Sequence, residues 1–130
     1  MINTIIDPRR KAVIAVTFFE IIDDNVTNIK HTKGDTLIAK VNPKLPDGTA
    51  YVPQVGDVIR FALKRSYDNR TVLIRQDIPT NTMILRIESD VTKTLDIRDD
   101  GYVYDIQITF ADGTVKTFIR GKLYLTKEVD

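Results

Sequence analysis

Residues 101–125, GYVYDIQITFADGTVKTFIRGKLYL, decide how this chain is read. Tyr102, Tyr104, Ile106, Ile108 and Phe110 recur on one side of an extended strand, and Val103, Asp105, Gln107 and Thr109 on the other. That period of two is what separates the faces of a β-strand. Asp112-Gly113 follows, a dipeptide suited to a tight type I′ hairpin because Gly adopts positive φ without strain and Asp tolerates it. A two-residue turn sets Phe110 against Val115, Ile108 against Thr117 and Ile106 against Ile119, with Asp105 beside Arg120 on the opposite face. A three-residue loop with a bulge would shift one pattern by a residue and oppose unlike faces, so the tighter turn is expected. The hairpin contains no catalytic motif and reads as the folding spine.

Upstream of it, VIRFALK at 58–64 alternates Ile59, Phe61 and Leu63 with polar or small residues, and the first set is the expected core face. TLIAKVN at 36–42, TVLIRQ at 71–76 and MILRIE at 83–88 read as further strands, and VTNIKH at 26–31 as a short one. Residues 42–53 carry Pro43, Pro46, Asp47-Gly48 and Pro53, which predicts a loop, with Ala50-Tyr51-Val52 reaching a sheet edge. The segment 89–95 has room for one helical turn, with Ser89 or Asp90 as its N-cap. Near the start, KAVIAVTFFEII at 11–22 has no polar face at helical spacing, so a strand buried on both sides is expected, with turns at Asp7-Pro8-Arg9-Arg10 and Asp23-Asp24-Asn25.

The sum is an all-β chain of about seven or eight strands, spaced near ten residues apart and punctuated by Gly, Pro and Asp, the pattern of an antiparallel sandwich or small barrel. A length of 130 residues suits one domain, 1–130. Nineteen basic against 18 acidic residues leave a net charge of +1, no broad field for nucleic acid or an anionic membrane. With no cysteine, disulfides and thiolate metal sites are excluded. No apolar run reaches the length of a transmembrane helix or reads as a secretion signal.

Candidate chemistry is sparse. His31 is the sole histidine, without a nucleophile motif or a second ligand at useful spacing, and reads as a strand-end residue. Asp96 with Asp99-Asp100-Gly101, and Asp23-Asp24-Asn25, lack the ladder of a calcium loop and read as turns. Lys64-Arg65 beside Phe61 and Tyr67 would suit single-stranded nucleic acid on a five-stranded barrel, a reading the neutral charge disfavours. Tyr102, Tyr104 and Tyr124 are read as sheet packing, with a sugar-binding platform as the rival. No catalytic, cofactor-binding or metal-ligating residue is expected.

One resemblance emerges from the turn and strand residues. Lys33-Gly34-Asp35-Thr36, Pro46-Asp47-Gly48-Thr49, Gly56-Asp57-x-Ile59-Arg60-Phe61-Ala62-Leu63-Lys64, Ser66-Tyr67-Asp68, Tyr104-Asp105-Ile106-Gln107 and Gly121-Lys122-Leu123 form the series. It resembles small proteins found among the virion structural genes of phages and prophages of Gram-positive bacteria. More distantly, it is similar to the N-terminal domain of baseplate upper proteins, which anchors receptor-binding proteins to a tail. The resemblance implies an immunoglobulin-like β-sandwich that is not an enzyme and acts as an attachment, baseplate, tail or head-decoration module. It implies a place in the virion, after synthesis in the bacterial host cytoplasm. Its partners would be other virion proteins, with a homo-oligomeric state and no nucleic acid or membrane. Residues 1–32 lie outside the resemblance and are expected to be either an extra strand or an arm that pairs with a neighbouring subunit. The rival function is carbohydrate binding for host adhesion, which the absence of Trp weakens.

Overall fold

The alternation carries through into the structure, a computed structural model that describes residues 2–7, 12–22, 27–45 and 47–127. Nine strands and one helical turn occur among them: β1 (Ile2–Asp7), β2 (Ala12–Ile22), β3 (Ile29–Thr32), β4 (Leu37–Asn42), β5 (Val58–Lys64), β6 (Val72–Ile78), β7 (Ile84–Ile87), α1 (Ser89–Thr92), β8 (Tyr102–Thr109) and β9 (Val115–Thr126). They make a four-stranded sheet A, ordered β1-β2-β4-β7, and a five-stranded sheet B, ordered β3-β9-β8-β5-β6. The all-β expectation therefore holds. The strand beyond the expected seven or eight is β1, within the 1–32 region expected to supply an extra strand or an arm. The turns expected at Pro8-Arg9-Arg10 and Asp23-Asp24-Asn25, the contribution of Pro46 and the two-sided burial of 11–22 lie outside the described residues.

Inward side chains of both sheets meet in one core. Leu37, Ala39, Val41, Leu85 and Ile87 come from sheet A, and Ile59, Phe61, Leu63, Tyr102, Tyr104, Ile106, Ile108, Ile119 and Leu123 from sheet B. Each large side chain so buried contributes about 2 kcal/mol. Phe61 stacks on Tyr104 with ring centroids 5.5 Å apart. Most pairings are antiparallel, but β2–β4 and β3–β9 are parallel. Neither parallel pair is consecutive in sequence, because β3 intervenes in the other sheet and the chain crosses between layers around Thr27 and Asn28.

That crossing depends on Gly121. Its partner across the ladder is Tyr104, and Thr27 runs directly over it, so that a Cβ built there would lie 2.0 Å from the Thr27 carbonyl oxygen. The close approach permits the Thr27 N–H to reach the Arg120 carbonyl at 2.9 Å and the Lys122 N–H to reach the Asn28 side-chain oxygen at 3.0 Å. The Tyr104 hydroxyl donates to the Thr27 carbonyl from inside the core.

Two local expectations need correction. The β8–β9 hairpin closes through three residues, Ala111-Asp112-Gly113, with the Phe110 N–H donating to the Thr114 carbonyl and the Gly113 N–H to the Phe110 carbonyl, both at 2.8 Å. Only Gly113 takes positive φ (92°), the geometry of a type I turn closed by a left-handed residue. Thr109 accordingly faces Val115 and Ile108 faces Lys116, a slip of one from the two-residue register. A bulge at Phe118 restores it, so Ile106 meets Ile119 and Asp105 meets Arg120 as expected. The mismatch falls where Val115, Lys116 and Thr117 are exposed, and the extra residue turns Phe118 inward beside the rings of Tyr51 and Phe110. The second correction concerns α1, whose N-cap is Glu88 rather than Ser89 or Asp90 and makes no side-chain cap bond. Thr92 anchors that turn instead, its buried hydroxyl donating to the Asp35 carbonyl at 2.9 Å and accepting from the Gly34 N–H at 3.1 Å.

Candidate interaction face

The outer face of sheet B follows from the same period that builds the core. On β5, Val58, Arg60, Ala62 and Lys64 alternate with buried residues and point away from sheet A. Ladder pairing brings neighbours from the other strands beside them. One row runs Thr117, Gln107, Arg60, Asp77; the next runs Arg120, Asp105, Ala62, Arg75; a third runs Lys122, Val103, Lys64, Val72. Lys30 on β3 pairs with Tyr124 on β9 at the far side.

Charge is concentrated here. Lys30, Arg60, Lys64, Arg75, Arg120 and Lys122 share the face with two carboxylates, Asp77 and Asp105. The whole chain carries only +1, so the remainder is net acidic. Arg60 and Asp77 form an exposed ion pair at 2.8 Å, worth little in stability because water screens it. Lys64 and Lys122 donate to the carbonyls of Tyr67 and Asp100, which orients both side chains. Val103, between these two lysines on neighbouring strands, is buried although it faces outward, consistent with aliphatic lysine stems lying over it. Half-burial of Asp105 raises its carboxyl above the usual range, opposed by its Gln107 hydrogen bond and by the charge of Lys64.

At the hairpin end of the face, Val58 and Val115 flank Thr109 and are both exposed. The adjoining loop is held by Asp57, whose carboxylate accepts from the Tyr51 hydroxyl, the Gln54 N–H at 3.0 Å and the Ala111 N–H at 3.0 Å. Those bonds, the Tyr51 hydroxyl foremost, hold its carboxyl below the usual range; burial, with help from the same bond, pushes the Tyr51 phenol up. Gly56, at φ 94°, packs against Ala111, and the turn it closes presents Val55 98% exposed. The signal for this staple was legible as Gly56-Asp57, though its partners Tyr51 and Ala111 are set by the tertiary fold.

The residues singled out from sequence are scattered. The His31 ring bonds the Asp35 carbonyl at 2.9 Å and closes the β3–β4 turn. Asp99-Asp100-Gly101 forms a turn in which Arg98 lies 3.4 Å from Asp100, and no group of three metal-ligating side chains occurs among the described residues. Phe61 is fully buried and unavailable to stack on a base, while Tyr67 is exposed and Lys64 belongs to the outer face. The three tyrosines do not share a face. Tyr102 and Tyr104 are buried, whereas Tyr124 points outward and its ring would touch a Cβ placed on Gly101. Tyrosine packing is therefore correct for two of the three, and no joint sugar platform arises from them.

No helix of the described residues is long and apolar enough to cross a membrane. No protein-family model matches the chain, and no curated protein matches its sequence.

Proposed function

We propose that this chain is a noncatalytic structural protein of a phage or prophage particle, an immunoglobulin-like β-sandwich that attaches other virion proteins through the outer face of sheet B. The observation that carries the binding role is that face itself: a broad, registered surface of charged side chains on a rigid sheet, which suits docking rather than enclosure of a small substrate. The virion setting rests on the resemblance of residues 33 onward. Its glycines sit where the backbone is demanding, Gly34, Gly48 and Gly56 at φ of 89°, 89° and 94° and Gly121 beneath Thr27.

The immunoglobulin-like assignment is supported by the layering of β4 and β7 against β3-β9-β8-β5-β6 and by a corner bond after the helical turn. The Tyr102 hydroxyl, at the start of β8, donates to the Asp96 carbonyl six residues upstream at 2.7 Å, the arrangement of a tyrosine corner. The protein acts as a homo-oligomer with other virion proteins as partners, made in the host cytoplasm and incorporated into the particle.

Particles purified from an induced culture of the bacterium that carries the gene test this reading. Quantitative mass spectrometry should find the chain at a constant ratio to the major capsid protein across a density gradient. A chain that remains with the cytosolic proteins and never enters the particle fractions refutes it.

A further inference from the structure

We propose that the outer face of sheet B docks an acidic protein surface, whose carboxylates meet Arg75 and Arg120 in one row and Lys64 and Lys122 in the next. This deepens the attachment role and rests on it for the identity of the assembly, but the face has its own test. Geometry makes the demand specific. Arg120 and Arg75 stand three strand spacings apart, about 14 Å, and Lys122 and Lys64 two spacings apart, about 10 Å. The two rows are separated by one pleat repeat along the strands, about 7 Å. Asp105 is the ladder neighbour of Arg120, but no ion pair within 4 Å joins either arginine to an acidic side chain among the described residues, and the six cations of the face outnumber its two carboxylates.

A protein surface fits this pattern better than the alternatives. Single-stranded nucleic acid stacks its bases on aromatic platforms, yet Phe61, Tyr102 and Tyr104 are turned into the core, Tyr124 is half-buried beside Gly101, and Tyr67, though exposed, lies in the turn after β5 and not on the sheet face. Asp105 and Asp77 would each repel a passing phosphate, whereas a protein partner can set its own cations against them. A second copy related by a two-fold axis through this face would oppose like charges over the same patch. An acidic partner with a few basic positions is the chemistry left.

The test uses the full chain, its R75E/R120E variant, the charge-preserving R75K/R120K variant, and K44E/K93E, which reverses two cations off this face. Circular dichroism first establishes that each is folded. Fluorescence anisotropy then reads binding to labelled poly-L-glutamate and to an oligothymidylate of about 20 nucleotides, between about 0.05 and 0.5 M salt. Expected are polyglutamate binding that weakens at least about tenfold with salt, and a similar loss in R75E/R120E. R75K/R120K and K44E/K93E should stay within about threefold of the parent. Equal binding by R75E/R120E and the parent overturns the proposal. So does tighter, arginine-dependent binding to the oligonucleotide, which assigns the face to nucleic acid. Incorporation into particles separates the two readings: the parent chain should enter and R75E/R120E should fall about tenfold. If both enter equally, the docking face is wrong and the virion role stands. If neither enters, the virion role is wrong and the polyglutamate measurement alone decides the face.

Discussion

Gly121→Ala is the substitution whose effect the fold predicts most sharply. Gly121 lies within β9 with φ outside the positive range, so backbone strain is not the reason a side chain fails there. The obstacle is Thr27, whose carbonyl oxygen, carbonyl carbon and nitrogen would lie 2.0, 2.7 and 3.2 Å from the new Cβ. All three are backbone atoms, so relief requires the crossing segment to lift by more than an ångström. That displacement breaks the Thr27-to-Arg120 bond at 2.9 Å, the Lys122-to-Asn28 bond at 3.0 Å and the Tyr104-to-Thr27 bond. At about 1 kcal/mol for each, the loss is about 3 kcal/mol. For a domain of this size it corresponds to a fall of about 10 °C in the melting temperature. Thermal unfolding followed by circular dichroism measures it, with Gly113→Ala as the comparison. At Gly113 a Cβ meets nothing within 4 Å, and only its φ of 92° resists substitution, at about 1 kcal/mol. If Gly121→Ala melted within about 2 °C of the parent, or higher than Gly113→Ala, the account of the crossing would be wrong.

Two carboxylates should respond to pH in opposite senses. The Asp57 carboxyl is depressed below its ordinary 3.8, so its contribution to stability is complete above that value and disappears as pH falls through the folded value. The melting temperature of Asp57→Asn should therefore lie below the parent's by a constant gap above about pH 5, and the gap should narrow as pH falls below 3.8 towards the depressed folded value; a gap unchanged in acid would contradict the hydrogen-bonded staple. The Asp105 carboxyl is raised, chiefly by burial, so the folded state favours its protonated form. Its contribution is present below 3.8 and is lost as pH rises through the folded value, leaving a penalty at neutrality. Asp105→Asn should consequently melt higher than the parent near pH 7 and converge with it in acid, as a pH series of thermal melts would reveal. Tyr102→Phe removes the corner bond to Asp96 and keeps the buried ring. It should cost about 1 kcal/mol in urea unfolding, and a fully neutral result would show that the bond does not hold the β8 entry.

Much of the fold was legible because local alternation and burial are the same fact in a two-layer β protein. Ile59, Phe61 and Leu63 had to face one way once β5 was extended, and Gly56-Asp57 had to turn the chain before it. The hairpin register was less legible. Two-residue and three-residue closures differ by one position, and the deciding interaction was the packing of Phe118 against Tyr51, more than sixty residues away. The basic face of sheet B was not visible at all in the overall charge of +1, because its cations come from four strands that are dispersed along the chain.

By itself, then, the sequence determined most of the strands, their core-facing residues and the places where the chain turns, since the side-chain period and the φ preferences of Gly, Asp and Pro act over only a few residues. Tertiary structure decided which strands became neighbours. Pairing β9 with β8, β8 with β5 and β5 with β6 set Arg120, Lys122, Lys64 and Arg75 on one surface, while the bulge at Phe118 turned its ring into the core and the bare backbone of Gly121 admitted the crossing at Thr27. Charge adds over distance in space rather than along the chain, which is why a balanced sequence can gather a basic face on sheet B.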